Sequence, residues 1–358
     1  MIDDGFIDGN EGVEILSPGM YFHGYVIERR IGRGASGDVY LARHKMLDIL
    51  YAIKIIEASE LMISEEMVHR FVREAKIAAR IQHSNLVRVH DAGFDGSTNV
   101  YYLVMDYMSK GTLRDRIAFE GAIPPQEAVE IIHSVASALD AGARMGLVHR
   151  DLKPENIMFS ENGIVKLVDL GVAKICDGES LQTRTSTTFG TPAYVAPEQA
   201  KDASKVDSRA DIYSLGVILF EMLCGRRPYI GNTPMAIIAQ VISDEPIPDV
   251  KRLNPDVPNW VSALVFRMCA KNPEKRISSA AELLCIISEY LHKKSDKADY
   301  ATLPEKNPFE MLRNVGNDNE SALNTYSKKR NDFYQKLLPK VLLLIIGFVL
   351  LILLIIFI

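Results

Sequence analysis

Residues 149–156 read His149-Arg150-Asp151-Leu152-Lys153-Pro154-Glu155-Asn156, and no other stretch restricts the fold of this chain so much. A carboxylate, an ammonium and a carboxamide crowd around a proline, with little helical periodicity. Such a stretch suits a loop that points its polar groups at one small volume. Phosphoryl transfer needs a set of this kind: a group to orient an attacking hydroxyl, a ligand for a cation and a positive charge near the phosphate. An ordinary salt-bridged surface turn is the alternative, and the remaining sequence has to decide between them.

Upstream, residues from Tyr25 alternate in strand fashion, YVIERRIGRGASGDVYLARH, around Gly32-x-Gly34-x-x-Gly37-x-Val39. Dinucleotide-binding folds use the same glycine spacing, but there a helix opens at the glycines. Here Asp38-Val39-Tyr40-Leu41-Ala42 continues as a β-branched and aromatic run, and Tyr51-Ala52-Ile53-Lys54-Ile55-Ile56 reads as a further strand. Strand, glycine turn, strand is a hairpin whose backbone N–H groups can cover phosphates. The GxxxxGK[ST] phosphate loop is absent. Lys54 is the one charge in its apolar strand; it either snorkels to an edge or points into a site that needs a cation, and the second is preferred. Helical spacing over 65–81 (Met67, Phe71, Ala75, Ala78, Ala79) sets Glu74 beside the apolar stripe, either facing solvent or paired with Lys54. Strand-like runs follow at 86–90 and 100–105, and the loop Ser109-Lys110-Gly111 separates this β-rich part from a helical one.

Downstream, an amphipathic helix is expected over 125–146, with Val129, Ile132, Val135, Ala136 and Leu139 on one face. After a strand at 164–168 comes Asp169-Leu170-Gly171, then a Ser-, Thr- and Gly-rich segment carrying Thr183, Thr185, Ser186, Thr187 and Thr188. Hydroxyls beside a phosphoryl-transfer site are candidates for modification; a merely solvated loop is the other reading. Residues 190–198 (GTPAYVAPE) close the segment, and helical patterns run on to about residue 291, including a buried-looking run over 212–223 that starts at Asp211.

The ends differ from the middle. Residues 1–20 form a solvated acidic tail, and no apolar stretch follows the start, so no secretory signal is expected. Residues 293–340 read as a polar linker with Lys328, Lys329, Arg330, Lys336 and Lys340 near its end. Residues 341–358, VLLLIIGFVLLILLIIFI, carry no charge. Roughly 18 residues of helix span about 27 Å, close to the thickness of a bilayer core. This predicts a transmembrane helix, with the preceding bases holding the rest of the chain in the cytoplasm and available to anionic lipid. With nothing after Ile358 there is no expected ectodomain, which points to activation by local crowding. The net charge of −5 gives no case for a nucleic-acid partner. Cys176, Cys224, Cys269 and Cys285 are scattered without a CxxC, as in a reducing compartment.

In order, the glycine loop, YAIK, HRDLKPEN, D-L-G and TPAYVAPE resemble the eukaryotic-type Ser/Thr protein kinase family over about residues 25–291, in the style of bacterial members with a linker and one membrane span. The resemblance implies an α+β, two-lobed fold over residues 21–292: a small antiparallel β lobe with one helix, over a larger, mostly helical lobe, with ATP and Mg²⁺ (or Mn²⁺) in the cleft. It implies that Gly32, Gly34 and Gly37 cover the phosphates and that Ile31, Val39, Ala52, Met105 and Met158 surround the adenine. Asp106 and Met108 would meet the adenine edge through backbone groups, and Lys54, paired with Glu74, would hold the α- and β-phosphates. Asp151 would accept the substrate's proton, Lys153 would balance charge on the moving phosphate, and Asn156 and Asp169 would hold the metal. Thr191 belongs to the substrate platform and, with Lys153, matches the Ser/Thr pattern. Arg150 would receive a phosphate on Thr183, Thr185, Thr187 or Thr188, while Glu198 and Arg276 would form a structural ion pair. Two residues depart from the pattern: Leu170 stands where phenylalanine is commoner, and Ala78 is smaller than usual. The implied partners are Ser/Thr-bearing proteins and a second copy for trans-autophosphorylation. A membrane-tethered pseudokinase scaffold and a small-molecule kinase are the other readings.

Overall fold

The alternating segments upstream of residue 107 form a six-stranded antiparallel sheet. A computed structural model describes residues 15–34, 37–58, 72, 75–168, 192–202 and 206–296. The strands are β1 (Tyr21–Phe22), β2 (Tyr25–Gly34), β3 (Gly37–His44), β4 (Leu50–Glu57), β5 (Val89–Asp95) and β6 (Val100–Asp106), in the order β1-β2-β3-β4-β6-β5. The two-residue period sorts their side chains onto two faces. Ile27, Tyr40, Ile53, Ile55, Tyr102 and Val104 pack on one face. Ala52, Ile56, Leu103 and Met105 pack on the other. Strand β5 departs from expectation, because pairing begins at Val89 and continues through Asp91, Ala92 and Gly93. These polar and small residues tolerate strand geometry because β5 lies at the sheet edge, where one side faces water.

The second part holds α1 (Leu113–Glu120), α2 (Pro125–Ala143), the hairpin of β7 (Ile157–Phe159) and β8 (Val165–Leu167), α3 (Pro197–Lys201), α4 (Arg209–Cys224), α5 (Pro234–Ile242), α6 (Val250–Leu253), α7 (Asn259–Met268) and α8 (Ala280–Asp296). Thr112 and Asp115 close a capping box at the start of α1, and Pro125 opens α2 where its missing N–H costs nothing. Helix α4 is apolar almost all round, and its residues 210–223 are all buried, so it forms the centre of this part. At Gly216 an added Cβ would lie 2.7 Å from both Met268 Cβ and Cys269 Sγ, so the glycine lets the end of α7 approach. Helix α8 continues four residues past 292, through Lys293 and Lys294.

The chain divides into two units, Met1–Lys297 and Ala298–Ile358. The first four residues of the expected linker, 293–296, thus belong to α8, and the second unit, with the rest of that linker from 298 on and the apolar run 341–358, lies outside the described residues. Within the first unit, the segment before β5 is stitched to the helical part. Val87 N–H donates to Leu167 C=O (3.0 Å), Leu167 N–H to Asn85 C=O (2.8 Å) and Asn85 Nδ2 to Val165 C=O (2.9 Å). His83 accepts Asn85 N–H at Nδ1 (3.1 Å) and meets Ser137 Oγ at Nε2 (3.0 Å).

Burial pushes the His83 imidazole below its usual 6.5, and protonating Nδ1 would set a donor against the Asn85 donor. The neutral ring stabilises the fold above that usual value, and the contribution is lost as pH falls below it. The denaturation midpoint should therefore fall between about pH 7 and about pH 5, with a smaller fall in His83→Gln; equal falls in urea titrations of the two proteins would refute this.

Candidate active site

Residues 149–156 link α2 to β7, and the loop is held from below by the core. Asp211, in the first turn of α4 and only 4% exposed, accepts His149 N–H at Oδ2 and Arg150 N–H at Oδ1, both at 2.8 Å. Burial pushes the Asp211 carboxyl upward, while the two amides and His149 oppose that shift. Arg150 adopts φ +62°, a left-handed conformation that a residue with a side chain seldom takes. Its C=O accepts Gln199 Nε2 at 2.8 Å. His149, 2% exposed, accepts Asp151 N–H at Nδ1 (3.3 Å), so its ring proton sits on Nε2 and faces Val168 C=O (3.3 Å).

The side chains of Asp151, Lys153 and Asn156 are then set by short local bonds. Lys153 Nζ lies 3.1 Å from Asp151 Oδ2, both side chains being partly open to solvent. A 3-10 turn over Pro154–Asn156 folds the buried Asn156 back, and its Nδ2 donates to Asp151 C=O at 2.9 Å. Val168 N–H donates to Asn156 C=O (2.9 Å), which ties the loop to the end of β8.

The sheet brings up the other half. Lys54 on β4 is 5% exposed and is paired in register with Val39 and Leu103, so it shares the face of Ala52 and Ile56. Ala52, Met105 and Met108 form one apolar cluster with Ile31, Val39 and Met158, and Val87, Leu103 and Val168 join them. Gly32 lies on β2, and Gly34 pairs with Gly37 at the tip of the β2–β3 hairpin. Gly37 has φ +103°, and a Cβ there would fall 2.0 Å from Ile55 C=O, so only glycine fits. Asp106 donates its N–H to Arg88 C=O (3.1 Å). Its carboxylate accepts Arg88 N–H (3.3 Å) and meets His90 Nε2 (2.7 Å).

Residues 192–202 are fastened to the helical core. The fully buried Arg276 side chain holds Glu198 through two hydrogen bonds (2.5 and 2.6 Å) and donates Nε to Ala270 C=O (2.6 Å). Arg114 joins Glu155 and Glu221, each at 2.9 Å, and also the hydroxyl of Tyr194. Glu74, Asp169, Thr183, Thr185, Thr187, Thr188 and Thr191 lie outside the described residues. The site thus assembles Asp151, Lys153 and Asn156, and it gathers the apolar residues expected around a base. Two anchoring residues were missed from sequence. Asp211 carried a signal, as an acid at the head of an apolar run; Gln199 carried none.

Residues 25–291 match the family model described as protein kinase domain. The chain is 38% identical over 262 residues to serine/threonine-protein kinase PknB of Mycolicibacterium smegmatis, covering 72% of this chain and 41% of that protein. It is 38% identical over 256 residues to PknB of Mycobacterium leprae, covering 71% and 40% respectively. It therefore spans about two fifths of the length of these curated relatives. Among solved structures, the PknI kinase domain of Mycobacterium tuberculosis superposes with a TM-score of 0.60 at 27% identity, covering 76% of this chain and 99% of that one.

Replacing Asp211 by Ala should orphan two buried amides, at about 1–3 kcal/mol each. Urea unfolding should show that loss; a change near zero would mean that water replaces the carboxylate.

Proposed function

The chain belongs to the protein kinase domain family, and on that premise we propose that it transfers the γ-phosphate of ATP to Ser and Thr hydroxyls of proteins. One observation carries the reading. Met158 and Val168, which bracket the far side of the Asp151 loop, pack in the same cluster as Val39, Ala52 and Met105, so the loop meets the sheet face that bears Lys54.

Between these surfaces the adenine would lie against the apolar cluster, its edge on the backbone of Asp106 and Met108. Gly32, Gly34 and Gly37 would bring backbone N–H groups over the phosphates, and Lys54, with Glu74 as its partner, would place a positive charge beside them. Asp151 would orient the attacking hydroxyl and accept its proton, while Lys153, 3.1 Å away, would offset charge on the moving phosphate. Catalysis of this kind is positioning and electrostatics. Asn156 fits a metal role: with Nδ2 committed to Asp151 C=O, its amide oxygen remains as a hard donor, and Asp169 would be the second ligand for Mg²⁺ or Mn²⁺. Bound there, the ion would supply positive charge to the phosphate oxygens. No observation favours a scaffold without turnover.

The domain would be tethered. Among the described residues no helix is long and apolar enough to cross a membrane. The uncharged run 341–358 supports a single anchor, with the linker 293–340 and its bases at the cytoplasmic face, in reach of anionic lipid. Crowding on the membrane would favour trans-autophosphorylation between copies, on Thr183, Thr185, Thr187 or Thr188, with Arg150 receiving the phosphate and Thr191 serving the platform.

Asp151→Ala should cut turnover about 10²–10⁴-fold in an assay of labelled phosphate passing from ATP to protein with Mg²⁺, and an unchanged rate would remove Asp151 as the base. Deleting residues 341–358 should lower autophosphorylation on lipid vesicles at dilute protein; equal rates with and without the tail would discard the crowding mechanism.

A further inference from the structure

The peptide joining Arg150 to Asp151 is gripped at both edges. Its N–H donates to His149 Nδ1 (3.3 Å), and its C=O accepts from Gln199 Nε2 (2.8 Å). That plane is the last rigid unit before Asp151, so its tilt sets where the Asp151 side chain points. The plane does not rest in a relaxed conformation, since Arg150 sits at φ +62°. A residue with a Cβ stays there only when its surroundings over-determine it. Asp211 restrains Arg150 from the N–H side, and Gln199 restrains it from the C=O side.

Gln199 is well placed to hold. It is 8% exposed, and a buried carboxamide persists when its polar atoms are satisfied. It lies on α3, next to Glu198, which Arg276 fixes through two hydrogen bonds. The short helix is therefore tied to the core on one side, and through Gln199 it reaches the catalytic loop on the other. Resting on the kinase reading above, we infer that Gln199 is a positioning residue for phosphoryl transfer. It clamps the Arg150 carbonyl and so couples the helix that closes the threonine-rich segment to the direction of the Asp151 carboxylate. Gln199 touches neither nucleotide nor hydroxyl in this scheme; it acts through the peptide plane.

The test uses the full chain and steady-state kinetics with ATP and a Ser/Thr protein substrate. Gln199→Met keeps length and removes the donor, Gln199→Glu sets an acceptor against the carbonyl, and Gln199→Lys restores a donor of similar reach. In Gln199→Met, kcat should fall about 10- to 100-fold, the scale of a roughly 1 Å misplacement, with KM for ATP within about twofold of wild type. Gln199→Glu should fall at least as far, and Gln199→Lys should recover part of the loss. A merely structural role would lower the unfolding temperature without this kcat-specific loss or the rescue by lysine. Should the apolar variant not accumulate, the contrast between the Glu and Lys variants carries the same test. An active wild type with unaffected Gln199→Met turnover, or equal losses in the Glu and Lys variants, would overturn the inference alone. A wild type with no ATP-dependent transfer would overturn the kinase reading and this clamp with it.

Discussion

A buried carboxylate at the head of a core helix holds the loop of residues 149–156 in place. Asp211 sits in the first turn of α4, where the helix end favours negative charge, and it accepts two amides of the loop above it. Removing a carboxylate from water is costly, and only well-aimed donors offset that cost. The loop could not present Asp151, Lys153 and Asn156 to one small volume if its own amides had to seek water. The backbone of the loop is therefore tied directly to the most buried helix of the helical part.

Everything else in the site is referred to the same base. The buried α4 leads through Asp211 to the loop, through Val168 to β8, and through the stitched segment before β5 to the sheet. The apolar cluster then spans from Ile31 and Val39 to Met158 and Val168, so residues from both halves of the molecule line one surface. Arg276, holding Glu198, brings residues 192–202 into the same frame. No single contact in this chain of support is large. Together they give the site its geometry, with Asp211 on the buried α4 as the anchor of the loop itself.

Much of this was legible in the sequence because it is periodic or local. Strand-like alternation marked the segments that carry Val39, Ala52 and Lys54, and the glycine spacing followed by β-branched residues marked a hairpin; the grouping of Val39, Ala52 and Met105 came only with the resemblance to a family. The composition of residues 149–156 pointed to their shared volume. What stayed hidden joins residues far apart in the chain. Asp211 meets its amides across 61 and 62 residues, and Gln199 meets the Arg150 carbonyl across 49. Such contacts leave no period to read. The left-handed turn at Arg150 was also invisible, since an arginine gives none of the signal that a glycine would. Strand β5 runs over 89–95 where the strand-like run lay at 86–90, because at a sheet edge polar residues are tolerated. The Glu198–Arg276 pair, equally remote, was anticipated only through the resemblance to a family.

The central claim is that the reactive loop is anchored by the core and not by its own local structure. Amide hydrogen exchange at His149 and Arg150 tests this most directly, since both residues lie outside helix and strand. Exchange as slow as that of the central α4 amides, released only by global unfolding, is the result this account predicts. Fast exchange, on the scale of exposed loop amides, would contradict it.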